Sequence, residues 1–253
     1  MNRKGSQVSA GRSKDSLFEV VLDILYPRHC AVCNELLPFG GGLICGDCED
    51  KPVPVSGPRC MKCGRMLYSD REEYCSDCRE VIHFYDRAFS VFVYNDAMQQ
   101  SIFRFKYQGK QEYADFYAES IYKYLGREIM GFKADALISV PLHKDRLKKR
   151  GYNQASLIAG RLSKLTGIKV EEDLVLRVAA TMPQKNLNRE ERRKNLKRAF
   201  LLSRNIVELT RVIIVDDIYT TGSTVDEMSL LLKEAGVREI YVVTVCSGTP
   251  LLR

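Results

Sequence analysis

Val212-Ile213-Ile214-Val215-Asp216-Asp217-Ile218-Tyr219-Thr220-Thr221-Gly222-Ser223-Thr224 reads as a buried strand, two adjacent acids, and a small hydroxyl-rich loop that opens a helix. A short apolar run of this kind suits an interior strand of a parallel sheet. Such a strand delivers Asp216 and Asp217 to the carboxyl edge, where open α/β sheets bind ligands. Adjacent carboxylates accept hydrogen bonds from the vicinal hydroxyls of a ribose. Gly222 lets backbone amides approach a ligand closely. Thr220, Thr221, Ser223 and Thr224 offer hydroxyls at the positive end of the following helix, which suits a terminal phosphate. Two plainer readings share these residues: a phosphoacceptor or Mg²⁺ site at the strand end, and an ordinary helix cap in Thr-Gly-Ser-Thr.

Working outward, apolar strand-like runs alternate with amphipathic segments from residue 86 onward. Strands are expected at Arg87–Tyr94, Ala136–Val140, Leu174–Val178, Arg211–Val215 and Glu239–Val245, and helices at Ala97–Tyr107, Glu112–Glu128, Tyr152–Thr166 and Ser223–Ala235. That alternation argues for a mainly parallel sheet with helical crossovers on both faces. Cys246 follows the apolar run Tyr241–Val245 and reads as a buried strand thiol.

Upstream of residue 86 the pattern changes to four CxxC pairs: Cys30/Cys33, Cys45/Cys48, Cys60/Cys63 and Cys75/Cys78. Two CxxC turns complete a tetrahedral thiolate site, and Zn²⁺ suits it because the ion imposes no d-electron geometry. A shift of thirty residues maps Cys30-Ala31-Val32-Cys33 onto Cys60-Met61-Lys62-Cys63 and Gly46-Asp47-Cys48 onto Ser76-Asp77-Cys78. The module therefore reads as a duplicated unit, each copy closing its own site over a short loop. Cys30, Cys33, Cys45 and Cys48 are assigned to one structural zinc, and Cys60, Cys63, Cys75 and Cys78 to the other. His29 adjoins Cys30 but is left as a bystander. The expected layout is a polar tail at 1–14, a short amphipathic helix at 15–28, the double zinc module at 29–85 and the α/β domain at 86–253.

The chain has 253 residues, is 45% hydrophobic and carries a formal net charge of +7. No apolar run approaches the roughly 20 residues a bilayer span needs. Glu19 and Asp23 interrupt the apolar stretch near the N-terminus, which excludes a secretory signal there. With paired cysteines and no export signal, a reducing, cytoplasmic setting is expected. Much of the positive charge is concentrated in Lys144–Arg150 and Lys185–Arg198, segments suited to a phosphate-rich ligand or a nucleic-acid backbone.

The thirteen-residue stretch resembles the signature of the type I phosphoribosyltransferases, which bind phosphoribosyl diphosphate (PRPP). The resemblance implies that Asp216 and Asp217 hold the ribose as the catalytic acidic pair, and that Thr220, Thr221, Gly222, Ser223 and Thr224 hold the 5′-phosphate. It further implies that Pro141, Leu142, His143, Lys144, Arg146 and Arg150 form the loop around the diphosphate with Mg²⁺. The polar stretch 181–198 resembles the mobile loop that closes over PRPP, with Gln184, Arg189 and Arg193 as candidate contacts. Together with the cysteine-rich front, Arg150-Gly151-Tyr152-Asn153-Gln154 and Gln184, the whole is similar to the ComF (ComFC, GntX-like) family. That likeness implies a double zinc ribbon before a phosphoribosyltransferase-like domain, and a role in natural competence beside single-stranded DNA and the uptake machinery. Tyr68, Tyr74, Phe84 and Tyr85 are candidate base-stacking residues. Two alternatives stand beside a PRPP-binding competence factor: a working Mg-dependent phosphoribosyltransferase with an unknown base or amine acceptor, and a PRPP-responsive regulator without catalysis.

Overall fold

The computed structural model describes residues 27–178, 199–206 and 208–248. The polar tail, the amphipathic helix up to residue 26, and Gln184, Arg189 and Arg193 lie outside the described residues. In chain order the elements are a single 3₁₀ turn at Gly46–Cys48, then α1 (Ser76–Glu80), β1 (Arg87–Val93), α2 (Asp96–Tyr107) and α3 (Tyr113–Gly131). They continue with β2 (Ala136–Ser139), α4 (Lys144–Arg150), α5 (Gln154–Thr166), β3 (Val175–Arg177) and β4 (Phe200–Leu202), and end with β5 (Arg211–Tyr219), α6 (Ser223–Glu234) and β6 (Glu239–Ser247).

A four-stranded sheet runs in the order β1-β6-β5-β2, and every pairing in it is parallel. Strand periodicity divides the buried side chains between its two faces. Ile213, Val215, Val243 and Val245 pack with α2, α3 and α5, while Val212, Ile214, Ile240 and Val242 pack with α6, with Leu174 and with Phe200 of β4. Helices thus cover both faces, as expected. The longer helices bury a 3.6-period stripe: Met98, Ile102 and Phe105 on α2, Ile158, Ala159 and Leu162 on α5, and Val225, Met228 and Leu232 on α6. No helix among the described residues is long and apolar enough to cross a membrane.

The sequence expectation needs two corrections. The strand expected at Leu174–Val178 does form, but outside the main sheet, in an antiparallel pair with β4. The run Lys144–Arg150, expected as part of a loop, is a two-turn helix that starts at His143 and stops at Gly151, which adopts a left-handed φ of 80°.

The thirty-residue repeat recurs in the backbone of the first CxxC turn of each copy, while the second pair carries a 3₁₀ turn at Gly46–Cys48 in one copy and a short α-helix at Ser76–Glu80 in the other. The bridge His29↔Leu36 recurs as Arg59↔Met66. Cys30 N–H donates to the Glu35 carbonyl at 2.8 Å and Cys60 N–H to that of Arg65 at 2.8 Å. Asn34 and Gly64 share a left-handed turn at φ 73° and 69°. The two copies nevertheless dock on opposite faces of the sheet: Cys30, Ala31, Val32 and Leu37 join the core beneath α2 and α3, whereas Cys60, Cys63, Leu67 and Cys75 join the core beneath α6.

Candidate functional site

The eight cysteines gather into the two clusters that the repeat implies. Within each, the four sulfurs lie within 4.8 Å of one another. Cys33 and Cys45 sulfurs are 3.7 Å apart, as are those of Cys63 and Cys75. A tetrahedron built on a Zn–S bond of about 2.3 Å has an edge of about 3.8 Å. The clusters therefore fit two structural zinc ions, with His29 outside both ligand sets. Burial works against ionising Cys30, but the N–H groups of Cys33, Cys45 and Val32 outweigh it and hold the thiol at about 7. Burial and then the Cys45 and Cys33 sulfurs push Cys48 up to about 12. One negative sulfur is easily held and a fourth is not, so ionising all four calls for a bound dication.

The second site lies at the carboxyl edge of the sheet. β5 pairs with β6 through Tyr219↔Ser247, but its pairing with β2 ends at Ser139↔Val215. Beyond Val215, β5 therefore has no strand partner on its β2 side among the described residues, and Asp216 and Asp217 stand on this overhang. Asp217 N–H donates to Asp216 Oδ1 at 2.8 Å, and Lys106 Nζ, from the last turn of α2, pairs with Asp217 Oδ2 at 2.7 Å. Burial, and then the Asp217 charge, push Asp216 up to about 7.

That shift has a consequence for stability. An acid whose folded pKa exceeds its unfolded value binds its proton more tightly when native, so ionising it costs the fold. This cost is absent below about pH 4, grows as pH rises and is complete above about pH 7, with an upper bound of about 4 kcal/mol. Asp216→Asn is therefore expected to stabilise the ligand-free protein above neutrality and leave it nearly unchanged at pH 4, as read by denaturant midpoints across pH. Equal midpoints for variant and wild type at pH 8 would refute the burial account.

After Tyr219 the chain turns through Thr220 and Thr221, both exposed, into Gly222, which caps α6 at φ 79°. A Cβ there would lie 2.3 Å from Tyr219 Oη, so only glycine fits both the backbone and the space. Thr221 Oγ1 donates to Ser223 Oγ at 3.2 Å, and Ser223 and Thr224 begin the helix. The loop is backed by the second zinc unit. Arg65 Nη2 donates to the Thr220 carbonyl at 2.5 Å and Arg65 Nη1 to Asp77 Oδ2 at 3.0 Å. Tyr85 and Tyr219 hydroxyls are bonded at 2.7 Å. Asp226 of α6 accepts from Phe84 N–H at 2.9 Å and pairs with the His83 ring.

Pro141, Leu142 and His143 follow β2 directly, which brings the expected diphosphate loop to the sheet edge beside the β5 overhang. His143 is buried and caps α4, pairing with Asp145 at 3.2 Å. Lys144 and Arg146 are exposed. Arg150 is turned aside: its guanidinium donates to Gln154 Oε1 at 2.8 Å and to the Tyr107 hydroxyl at 3.1 Å. Arg150-Gly151-Tyr152-Asn153-Gln154 is accordingly a joint. The Tyr152 hydroxyl donates to the Phe105 carbonyl. Asn153 donates to the Val140 carbonyl at 3.0 Å while capping α5.

Of the aromatic candidates, Tyr68 and Tyr74 are exposed, whereas Tyr85 is fully buried. Its bond to Tyr219 makes it a packing residue and removes it as a stacking candidate. Cys246 is buried in β6. Lys106 and Arg65 were not singled out from the sequence. The available signal for Lys106 was a cation in the last turn of a helix, and nothing local marks Arg65.

The double zinc ribbon domain family matches residues 21–79 and the phosphoribosyl transferase domain family matches residues 148–249. Competence protein F of Haemophilus influenzae is 34% identical over 218 residues, which cover 84% of this chain and 94% of that protein. The DNA utilization protein YhgH of Salmonella typhimurium is 30% identical over 223 residues, 87% of this chain and 97% of that one. Competence protein ComFC of Streptococcus pneumoniae is 27% identical over 207 residues, 81% and 88% of the two chains.

Proposed function

The chain belongs to the ComF family of competence proteins, and from that premise we propose that it binds PRPP with Mg²⁺ at the carboxyl edge of its sheet and serves the uptake or use of single-stranded DNA. The observation that carries the reading is the overhang of β5. Asp216 and Asp217 stand there between a hydroxylated glycine turn on one side and the exposed cations of α4 on the other. In this reading the acidic pair takes the ribose hydroxyls and the accompanying Mg²⁺, the residues 220–224 take the 5′-phosphate, and Lys144 and Arg146 face the diphosphate. Lys106, which neutralises Asp217 in the ligand-free protein, yields its place to the ligand. A role with DNA is supported by the names of the relatives, which say competence and DNA utilization, and a single-stranded form by exposed Tyr68 and Tyr74 together with the exposed basic residues of α4.

Calorimetric titration with PRPP in the presence and absence of Mg²⁺ tests this. Saturable binding at one site per chain, strengthened by Mg²⁺, is the expected result; no heat at millimolar PRPP would refute it.

A second reading, a working transferase, draws on the β3–β4 pair. Burial, and then the Arg146 charge, hold the pKa of Arg177 in β3 down, against the smaller opposing effects of Glu227 and Asp216. In this reading the β3–β4 pair covers the acidic pair, and an acceptor base or amine attacks ribose C1 there as diphosphate departs. Release of diphosphate from PRPP with a panel of bases and ammonia distinguishes this from binding alone.

A further inference from the structure

The two zinc units share the backbone of their first CxxC turn but differ there at a position that bears on the sheet edge. Glu35 of the first unit corresponds to Arg65 of the second across the thirty-residue shift. Arg65 is 7% exposed and its guanidinium joins two things that are far apart in the chain. It is held by Asp77, next to the ligand Cys78, at 3.0 Å and reaches the Thr220 carbonyl at 2.5 Å. Its own carbonyl accepts from Cys60 N–H at 2.8 Å, so its backbone is part of the turn that the metal closes. Gly64 beside it adopts φ 69°, and a Cβ there would lie 2.3 Å from the Ala88 carbonyl of β1. The second unit is therefore seated tightly against the sheet.

We infer that Arg65 is a positioning residue for the phosphate loop, through which the second zinc unit sets the loop's readiness to receive a sugar phosphate. The inference rests on the PRPP reading given above. A trans peptide unit is planar, with its carbonyl and its N–H pointing in opposite directions. By drawing the Thr220 carbonyl toward the zinc unit, Arg65 turns the Thr221 N–H the other way, out toward the mouth of the loop. A donor fixed in that direction before the ligand arrives costs no reorganisation when the phosphate binds. The guanidinium supplies two fixed donors in a plane, one for Asp77 and one for Thr220, a geometry that a lysine ammonium does not reproduce.

The test separates the two halves of the ligand. Ribose 5-phosphate and magnesium diphosphate are titrated separately into wild type, Arg65→Ala, Arg65→Lys and Asp77→Asn, with zinc content measured on each. The expected result is ribose 5-phosphate binding weakened about tenfold in Arg65→Ala, and less in Arg65→Lys and Asp77→Asn, with magnesium diphosphate within about twofold of wild type and both zinc ions retained. Unchanged ribose 5-phosphate binding in Arg65→Ala overturns the inference alone. So does parallel loss of both ligands or of zinc, which marks Arg65 as a support of the fold only. Should Arg65→Ala fail to fold, the same readings on Arg65→Lys and Asp77→Asn decide. Wild-type protein that binds neither ligand overturns the PRPP reading and the inference with it.

Discussion

Cys60→Ser/Cys63→Ser protein is expected to hold one zinc ion where the wild type holds two, and to lose the folded structure of residues 58–80. Structural zinc contributes on the order of 10 kcal/mol to small units of this kind, as much as the whole stability of a typical domain. Secondary structure contributes little within the unit, which contains one short helix, Ser76–Glu80, with no buried residue of its own. The damage should not remain local, because Cys60, Cys63, Leu67 and Cys75 belong to the core that packs α6 on the sheet. Tyr85 and His83 contact Tyr219 and Asp226 there. The first unit docks on the other face, where Arg104 Nη1 donates to the Val32 carbonyl at 2.8 Å and the Tyr113 hydroxyl to Asn34 Oδ1 at 2.7 Å. It should keep its metal. Metal analysis per chain together with limited proteolysis reads both effects. Two retained zinc ions, or a protease pattern unchanged across 58–80, would contradict the assignment of these cysteines.

Asp217→Asn is expected to weaken PRPP binding by at least about a hundredfold while leaving two zinc ions in place. Asparagine keeps the shape of the side chain but removes a charged acceptor that sits 7% exposed at the sheet edge, and it leaves Lys106 without its anionic partner. Alanine at both positions of the pair should remove measurable binding altogether. Lys106→Met in the Asp217→Asn background addresses the orphaned cation: it should recover stability without recovering affinity, since the carboxylate is still missing. The measurements are PRPP titration and thermal melting on the same samples. Affinity within threefold of wild type for Asp217→Asn would take the acidic pair out of the binding site.

The parts of this molecule that the sequence makes legible are those whose physics is local. Each zinc site closes within nineteen residues, from Cys30 to Cys48 and from Cys60 to Cys78, so the thirty-residue repeat and the short loops it encloses assign the ligands. Val212–Val215 is apolar on both faces because helices cover both sides of the sheet, and the acids that follow it necessarily emerge at one edge. What escaped is set by distant partners. Leu174–Val178 reads as a strand, but periodicity does not say which sheet receives it, and its partner Phe200–Leu202 lies beyond a long polar stretch. Lys144–Arg150 has a single apolar residue, Leu147, which is itself exposed, so the helix leaves no 3.6-period trace. Lys106 and Arg65 matter through the carboxylate and carbonyl they reach, and neither partner is near them in sequence.

The reach of Arg65 also orders events at the ribosome. Thr220 lies 155 residues after it, so at about 5–20 residues per second the cysteine turns emerge on the order of ten seconds before their seat has been made. They have time to capture metal while α6 and the last two strands of the sheet are still untranslated. What waits is a rigid, partly apolar surface bearing Leu67, Tyr85 and the guanidinium, and the late-made half of the sheet must assemble against it. The metal-bound turns are thereby in place early, alongside β1 and β2, and a nascent chain starved of zinc is expected to offer its final strands their sheet partners without the seat that the second unit provides.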